Sequence, residues 1–451
     1  MNDDEPRLTQ ADAADADAVK RAKTDDIERL MAAVGQAQLS AGYPVNEVNE
    51  TLGKISRAYD RPQLTGYVLP NAVFVDDELT GRARVLTSDI GSMRLDQATQ
   101  VHRVARDVVN RRVTPVEAMG KLAAIDTMQA RFPQWMVVIA NGFTAAGFAL
   151  VFRVSIWGVL IAGVLGMLVA LALALTSKRQ TLAALVPFAS AFIASFVVFT
   201  ASAYFDAEVQ PVRVVAAPII TLIPGVGLTR GTQELANNQI VSGASRLVSA
   251  TVQILVLTFG ILTGARLAPL DSYNFADLTD ALLPWWAAWI GVLVFAVGQS
   301  VVSNEPRGAV RIVVVLLLAA YGVQTLVSST IDPILASGVA AGAALLGATL
   351  VQRRSRRGFP AFALFEPVFW LLVPGSLGLV ALTQEFAARD AALTKQVDSA
   401  GQNSTSVIGL TTGTDVLAVA AGTIIAITIG MLVASAIARL VPDRADKQAT
   451  P

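Results

Sequence analysis

From residue 135 onward the chain is a succession of apolar runs, each about 20 residues long and set apart by short polar stretches. A run of that length spans a bilayer as a helix. Ten spans are predicted, at 136–152, 156–176, 182–204, 212–229, 246–265, 282–302, 308–327, 333–351, 362–383 and 413–438. The polar stretch 230–245 reads as a short helix or hairpin at the interface, and 384–412 as a long polar loop. Upstream the periods change. Ile27, Leu30, Met31, Val34 and Leu39 recur at near-helical spacing before Gly42, and Val45, Val48, Leu52 and Ile55 do so after Pro44. Residues 65–69, 72–75 and 82–87 read as short strands. Two further helices are predicted at 94–110 and 115–131. The second opens on Thr114-Pro115 with Glu117, a capping hydroxyl, a proline at the first helical position and an acid in the first turn.

These patterns predict a polytopic α-helical membrane protein preceded by a small α+β cytosolic domain. Residues 1–20, rich in Asp and Ala, are expected as a disordered tail. The α+β domain takes 21–134, a first five-helix membrane repeat 135–267, a second 282–440, and a short cytosolic tail 441–451.

Two of the spans are interrupted at matching positions. The run 218–235, PIITLIPGVGLTRGTQEL, contains Pro224-Gly225 and then Gly227; the run 370–386, WLLVPGSLGLVALTQEF, contains Pro374-Gly375. Glu234 and Glu385 follow the two breaks at similar distances. Proline removes a backbone donor and glycine loosens the helix, so each run is a candidate broken helix. The broken spans are fourth and ninth, the same place in each half. Five spans per half is an odd number, so the second half is inverted across the membrane. Pro224 and Pro374 then lie about 12 residues from opposite ends of their spans, which puts both breaks near the midplane at about 1.5 Å per residue. Paired interrupted helices are the sequence sign of a transporter's binding site.

Charge sets the orientation. With the N-terminal domain in the cytoplasm, Lys178, Arg179, Arg230 and the cluster Arg353, Arg354, Arg356 and Arg357 fall on the inner side, leaving the outer loops poorer in Lys and Arg. Both termini are then cytoplasmic. Over 451 residues, 53% are hydrophobic and 16% charged, and the formal net charge is zero, which points to a lipid bilayer as partner and to no nucleic acid. The chain lacks cysteine, so disulfides, thiol catalysis and thiolate metal sites are excluded; the single histidine, His102, excludes a multi-histidine metal centre. No cofactor is expected. The acidic N-terminus has no apolar core of a signal peptide. A homo-oligomer is compatible with all of this.

A helix broken at mid-membrane offers free N–H groups at one half-helix and free carbonyls at the other. Two such breaks suit a small zwitterion, with the carboxylate at the N–H ends and the ammonium at the carbonyls. Here a resemblance becomes specific. Pro133-Gln134-Trp135 through NGFTAAGFALVF, and then residues 218–247, PIITLIPGVGLTRGTQELANNQIVSGASRL, resemble the threonine/serine exporter family. So does the layout of a soluble domain followed by two five-span units. The resemblance implies export of threonine and serine across the inner membrane, driven by the proton gradient. It places the family's Pro-Gly and following Gly on Pro224, Gly225 and Gly227. The second half departs from it, with Ser376 and Leu377 where the first has Val226 and Gly227.

Polar groups inside spans are few. Glu366, just inside the ninth span, is the first candidate for a proton-coupling carboxylate, against a reading as a rim glutamate. Glu234 and Glu385 are candidate gate charges, against interfacial anchoring. Asn141 in the first span is a candidate substrate hydrogen-bonder, against helix packing. A rival reading makes the N-terminal domain a membrane-tethered hydrolase using His102 with Asp96, Asp107 or Glu47, but those spacings do not share a helix face. A channel is the other alternative.

Overall fold

The computed structural model describes residues 10–88, 93–204, 211–268, 283–355, 358–372 and 411–440; side chains are described from Asp25 in the first of these segments and from Ala421 in the last. The chain divides into two compact units, Met1–Gln129 and Ala130–Pro451.

The first unit holds helices α1 (Gln10–Ser40), α2 (Val45–Ala58), α3 (Leu95–Val109) and α4 (Pro115–Asp126) and strands β1 (Leu64–Leu69), β2 (Ala72–Asp77) and β3 (Arg82–Thr87). α1 runs into the stretch expected as a tail. The strands form an antiparallel meander in the order β1-β2-β3, with Gly66 opposite Val75 and Phe74 opposite Val85. Leu30, Met31 and Val34 of α1, Val48, Leu52 and Ile55 of α2, and Val73 and Val75 of β2 make the core. Thr114 caps α4 as expected, accepting from the Glu117 N–H at 3.3 Å.

The second unit is helical: α5 (Gln134–Val151), α6 (Ile156–Thr176), α7 (Gln180–Ala183), α8 (Val186–Tyr204), α9 (Pro211–Ala216), α10 (Gly225–Ala236), α11 (Ile240–Leu267), α12 (Trp285–Val302), α13 (Val310–Ser328), α14 (Pro333–Arg354), α15 (Ala361–Leu372) and α16 (Thr411–Leu440). Seven are long and apolar enough to cross a membrane: α5, α6, α11, α12, α13, α14 and residues Ala421–Ala438 of α16. Val186–Ser202 and α15 are shorter apolar helices. The protein is therefore a multi-pass membrane protein. The fourth expected span is not a continuous helix, and the ninth is described only to Leu372. α6 shows the logic of a lipid-facing helix. Trp157, Leu160, Val164, Leu168, Leu171 and Leu175 are exposed at three- and four-residue spacing, whereas Gly158, Ala162, Leu165 and Val169 are buried.

Several helix pairs approach closely through glycine, α5–α6 and α10–α11 among them; three more are α8–α11, α14–α16 and α5–α12. α11 lays Gly260 and Gly264 against the backbone of α8 at Phe188 and Phe192. α14 lays Gly338 and Gly342 against Ala426 and Gly430 of α16. In membranes such small-residue faces let backbones meet without a hydrophobic driving force.

The third pair, α5 and α12, is reciprocal. A Cβ on Gly147 would press on the Phe295 nitrogen and lie 2.8 Å from the Gly291 carbonyl oxygen; a Cβ on Gly298 would lie 2.6 Å from the Thr144 nitrogen and 2.8 Å from the Ala140 oxygen. Adding 151 to 140, 144 and 147 gives 291, 295 and 298. Each residue thus meets the counterpart of the one that meets its own counterpart, as across a two-fold axis perpendicular to both helices. The helix ends repeat the relation. The Leu283 N–H donates to the Arg153 carbonyl at 2.8 Å at one end, and the Phe132 N–H donates to Asn304 Oδ1 at 3.1 Å at the other.

Candidate functional site

The fourth span breaks where its sequence says it should. α9 ends at Ala216, a single turn of 3-10 helix covers Ile220–Leu222, and α10 starts at Gly225 with Pro224 as its N-cap, at φ −81° and ψ 41°. Pro224 has no N–H to continue a helix, and its ring excludes the carbonyl a turn earlier. Gln253 of α11 donates to the Leu222 carbonyl at 2.5 Å, satisfying one acceptor freed by the break. The Thr221 and Thr229 hydroxyls flank the break, are buried, and have no hydrogen-bond partner among the described residues. At Gly227 an added Cβ would meet only Ala250 Cβ at 3.6 Å, an ordinary contact, so packing does not require glycine there. Pro374, Gly375 and Glu385 lie outside the described residues.

α10 turns back into α11 as a helical hairpin at the stretch read as interfacial, with Asn238 at φ 61° in the turn. Glu234 is buried in this hairpin. Its Oε2 accepts from Ser242 Oγ at 2.5 Å and from Arg246 Nε at 3.0 Å. That carboxylate therefore joins two helices from within. Asn141 is 3% exposed and donates from Nδ2 to the Gly166 carbonyl at 2.8 Å, which ties α5 to α6.

Glu366 stands in the second turn of α15, before Pro367. Arg230 of α10 lies 3.9 Å from its Oε2 and also sits over the Phe362 ring. The same end of the unit holds a residue that the apolar pattern did not single out. Glu305 follows α12, is 1% exposed, and accepts from Ser300 Oγ at 3.1 Å. Arg131 donates to its backbone carbonyl at 2.7 Å. Burial pushes the Glu305 carboxyl up to about 7; the Ser300 hydroxyl opposes this, the Glu366 charge adds to it and Arg131 opposes it. Its sequence context, Asn304-Glu305-Pro306-Arg307, reads as a polar loop, and burial there comes only from the helices packed around it. One signal was available: Pro133-x-Trp135 returns as Pro284-x-Trp286, at nearly the offset that relates Pro224 to Pro374.

In the first unit, His102 Nδ1 pairs with Tyr43 Oη at 2.7 Å. Burial, then Arg106 and Arg103, lower its pKa to about 4, while burial and then Glu47 raise that of Tyr43. Asp96 pairs with Arg94 at 3.1 Å and Asp107 lies 3.9 Å from Arg112. Neither ion pair joins these acids to the histidine in a hydrolytic arrangement. Among the described residues no cluster of His, Asp and Glu side chains is arranged to hold a metal ion.

Comparison with known proteins places the chain. Pheromone-regulated membrane protein 10 of Eremothecium gossypii is 23% identical over 304 residues, 65% of this chain and 40% of its own length. The uncharacterized protein C16A10.01 of Schizosaccharomyces pombe is 25% identical over 298 residues, 62% of this chain and 35% of its own. The chain thus spans less than half the length of these relatives. No solved structure matches it. The family described as "Putative threonine/serine exporter" matches residues 29–268, more than half of the 451 residues, across the α+β unit and the helices through α11. The chain belongs to the threonine/serine exporter family.

Proposed function

We propose that this protein is a secondary transporter that exports small neutral amino acids, threonine and serine, by alternating access around paired broken helices, with protons as the coupling ion. The observation that carries the reading is the break at Pro224-Gly225 inside a member of this family, flanked by two buried hydroxyls that have no hydrogen-bond partner among the described residues. The N-terminus of α10 offers N–H groups and a partial positive charge to a substrate carboxylate. Thr221 and Thr229 offer hydrogen bonds, and Gly227 leaves the backbone open to close approach. Pro374-Gly375 supplies the second break, and Glu366, Glu234 and Glu385 set the charge around the coupling and gate regions. The reciprocal contact of α5 with α12 supports two inverted five-helix repeats, because its axis is perpendicular to helices that cross the membrane. The pairing of α8 with α11 and of α14 with α16 supports the same arrangement. The membrane we assign is the inner membrane of a bacterium, with both termini in the cytoplasm.

The test is uptake of labelled threonine, serine and several rival amino acids into proteoliposomes under an imposed pH gradient. The expected result is accumulation of threonine and serine that collapses when the gradient is dissipated. Accumulation indifferent to the gradient removes the proton coupling, and absence of movement of either amino acid removes the exporter reading.

A further inference from the structure

α5 and α12 end in the same way. After α5, the Arg153 N–H donates to the Leu150 carbonyl and the Val154 N–H to the Ala149 carbonyl; after α12, the Asn304 N–H donates to Val301 and the Glu305 N–H to Ser300. Arg153 and Asn304 take left-handed backbone, at φ 58° and 51°. Both ends are Schellman motifs, and the shift of 151 carries one onto the other, Ala149 to Ser300 and Val154 to Glu305. In such a motif the residue beyond the left-handed position makes an apolar contact with the last full turn. Val154 and Ala149 fit that rule, and both are fully buried. Glu305 and Ser300 break it together. They keep the burial, at 1% and 3% exposed, and put a hydrogen-bonded polar pair where the first motif has an apolar one.

Packing does not ask for this. The first motif shows that an apolar pair completes the same helix end. A buried carboxylate is destabilising unless it is fully partnered. Glu305 is not fully partnered, since its Oε1 has no hydrogen-bond partner among the described residues. The charged groups facing it are Arg131, from the segment before α5, and Glu366, from α15, whose own ion partner is Arg230 of α10. Ser300 Oγ lies 3.1 Å from Glu305 Oε2 and 2.7 Å from the Ala296 carbonyl. A hydroxyl has one hydrogen for these two acceptors.

We propose that Glu305 is the proton-carrying carboxylate of the transport cycle, a reading that rests on the exporter function above. In the ionised form the Ser300 hydroxyl donates to Oε2. When Glu305 takes a proton from water on that carboxyl oxygen, the new O–H donates to Ser300 Oγ, and the serine hydrogen turns to the Ala296 carbonyl. One proton is gained and one negative charge lost. The unpartnered Oε1 is then a neutral carbonyl oxygen, which tolerates burial better than an anionic one. Release to the opposite compartment reverses these moves. Glu366 remains beside it as the like charge that favours protonation, with Arg230 as its own partner.

The full chain in proteoliposomes tests this with two variants, Glu305→Gln and the double change Glu305→Val with Ser300→Ala. The double variant rebuilds the pair that already completes α5, so it keeps a folded comparison if the single change does not fold. Three quantities are read: exchange of threonine or serine at equal pH, accumulation under a pH gradient, and the infrared carbonyl band of protonated carboxylic acid as pH is varied without substrate. The expected result is retained exchange, gradient-driven accumulation lost to the level of protein-free vesicles, and loss from both variants of a band that titrates near pH 7 in the parent. Variants that accumulate substrate as the parent does overturn the proposal, as does a band that survives Glu305→Gln. If the parent moves neither amino acid, the exporter reading fails instead, and the infrared titration still decides whether Glu305 takes the proton.

Discussion

Glu234 and Arg246 form a buried ion pair across the α10–α11 hairpin, with Oε2 3.0 Å from Nε and side chains 2% and 10% exposed. Ser242 adds a hydroxyl to the same oxygen. Removing one partner leaves the other charge buried alone, at a cost of about 3–5 kcal/mol. Glu234→Ala and Arg246→Ala are each expected to lower the thermal midpoint in detergent sharply, and an apolar double replacement, Glu234→Leu with Arg246→Met, to recover most of the loss. A Glu234→Ala protein with the parent's midpoint and altered transport alone assigns this carboxylate to gating rather than to holding the hairpin.

The reciprocal glycines give a paired prediction. Gly147→Ala and Gly298→Ala each set a methyl against partner backbone, and each is expected to cost about 1–3 kcal/mol, to a similar degree. Gly53→Ala, in α2 where a Cβ meets nothing within 4 Å, is the control and is expected to stabilise its helix by about 0.5–1 kcal/mol. Gly227→Ala is expected to leave the midpoint nearly unchanged and to lower transport. Unequal losses at 147 and 298 in thermal unfolding count against the two-fold relation.

A cysteine-free chain makes sidedness easy to read. Ser177, after α6, and Ser329, after α13, are exposed. With a cytoplasmic N-terminal unit they face opposite compartments. An impermeant thiol reagent added to intact cells should label Ser329→Cys and spare Ser177→Cys. The reverse pattern inverts the assignment.

The histidine gives a pH dependence with a definite sign. The His102 pKa is depressed from 6.5 to about 4 in the fold, so the unfolded chain binds more protons between those values. The contribution is fully present above pH 6.5 and is lost as pH falls toward 4. The total is about 3–3.5 kcal/mol. Hydrogen-exchange protection of amides in α2 and α3, measured on the full chain, should fall across this window in the parent and less steeply in a His102→Asn variant.

Neighbouring charges should tune the Glu305 titration in opposite directions. Glu366→Gln removes a like charge and is expected to move the infrared midpoint of Glu305 to lower pH. Arg131→Gln removes a cation and is expected to move it higher. Shifts of the same sign in both variants mean that rearrangement, and not Coulombic coupling, dominates.

What the sequence determined by itself are the features that covalent chemistry and local periodicity decide. Apolar runs fix where helices of membrane length lie, since every backbone polar group in lipid must be bonded within its own helix. Pro224 fixes the break, because a missing N–H cannot be supplied from elsewhere in the chain. The alternation around Val73 and Val75 and the start at Thr114-Pro115 are local in the same sense. Tertiary structure alone decided which polar groups are enclosed. Glu234 and Arg246 read as interfacial charges until the hairpin folds them together. Glu305 reads as part of a polar loop until α5, α12 and α15 surround it. That one Asn141 amide hydrogen goes to the Gly166 carbonyl, tying α5 to α6, is likewise set only by packing. Burial is a property of which helices pack together, here between residues 174 apart, Arg131 and Glu305, and no window along the chain contains it.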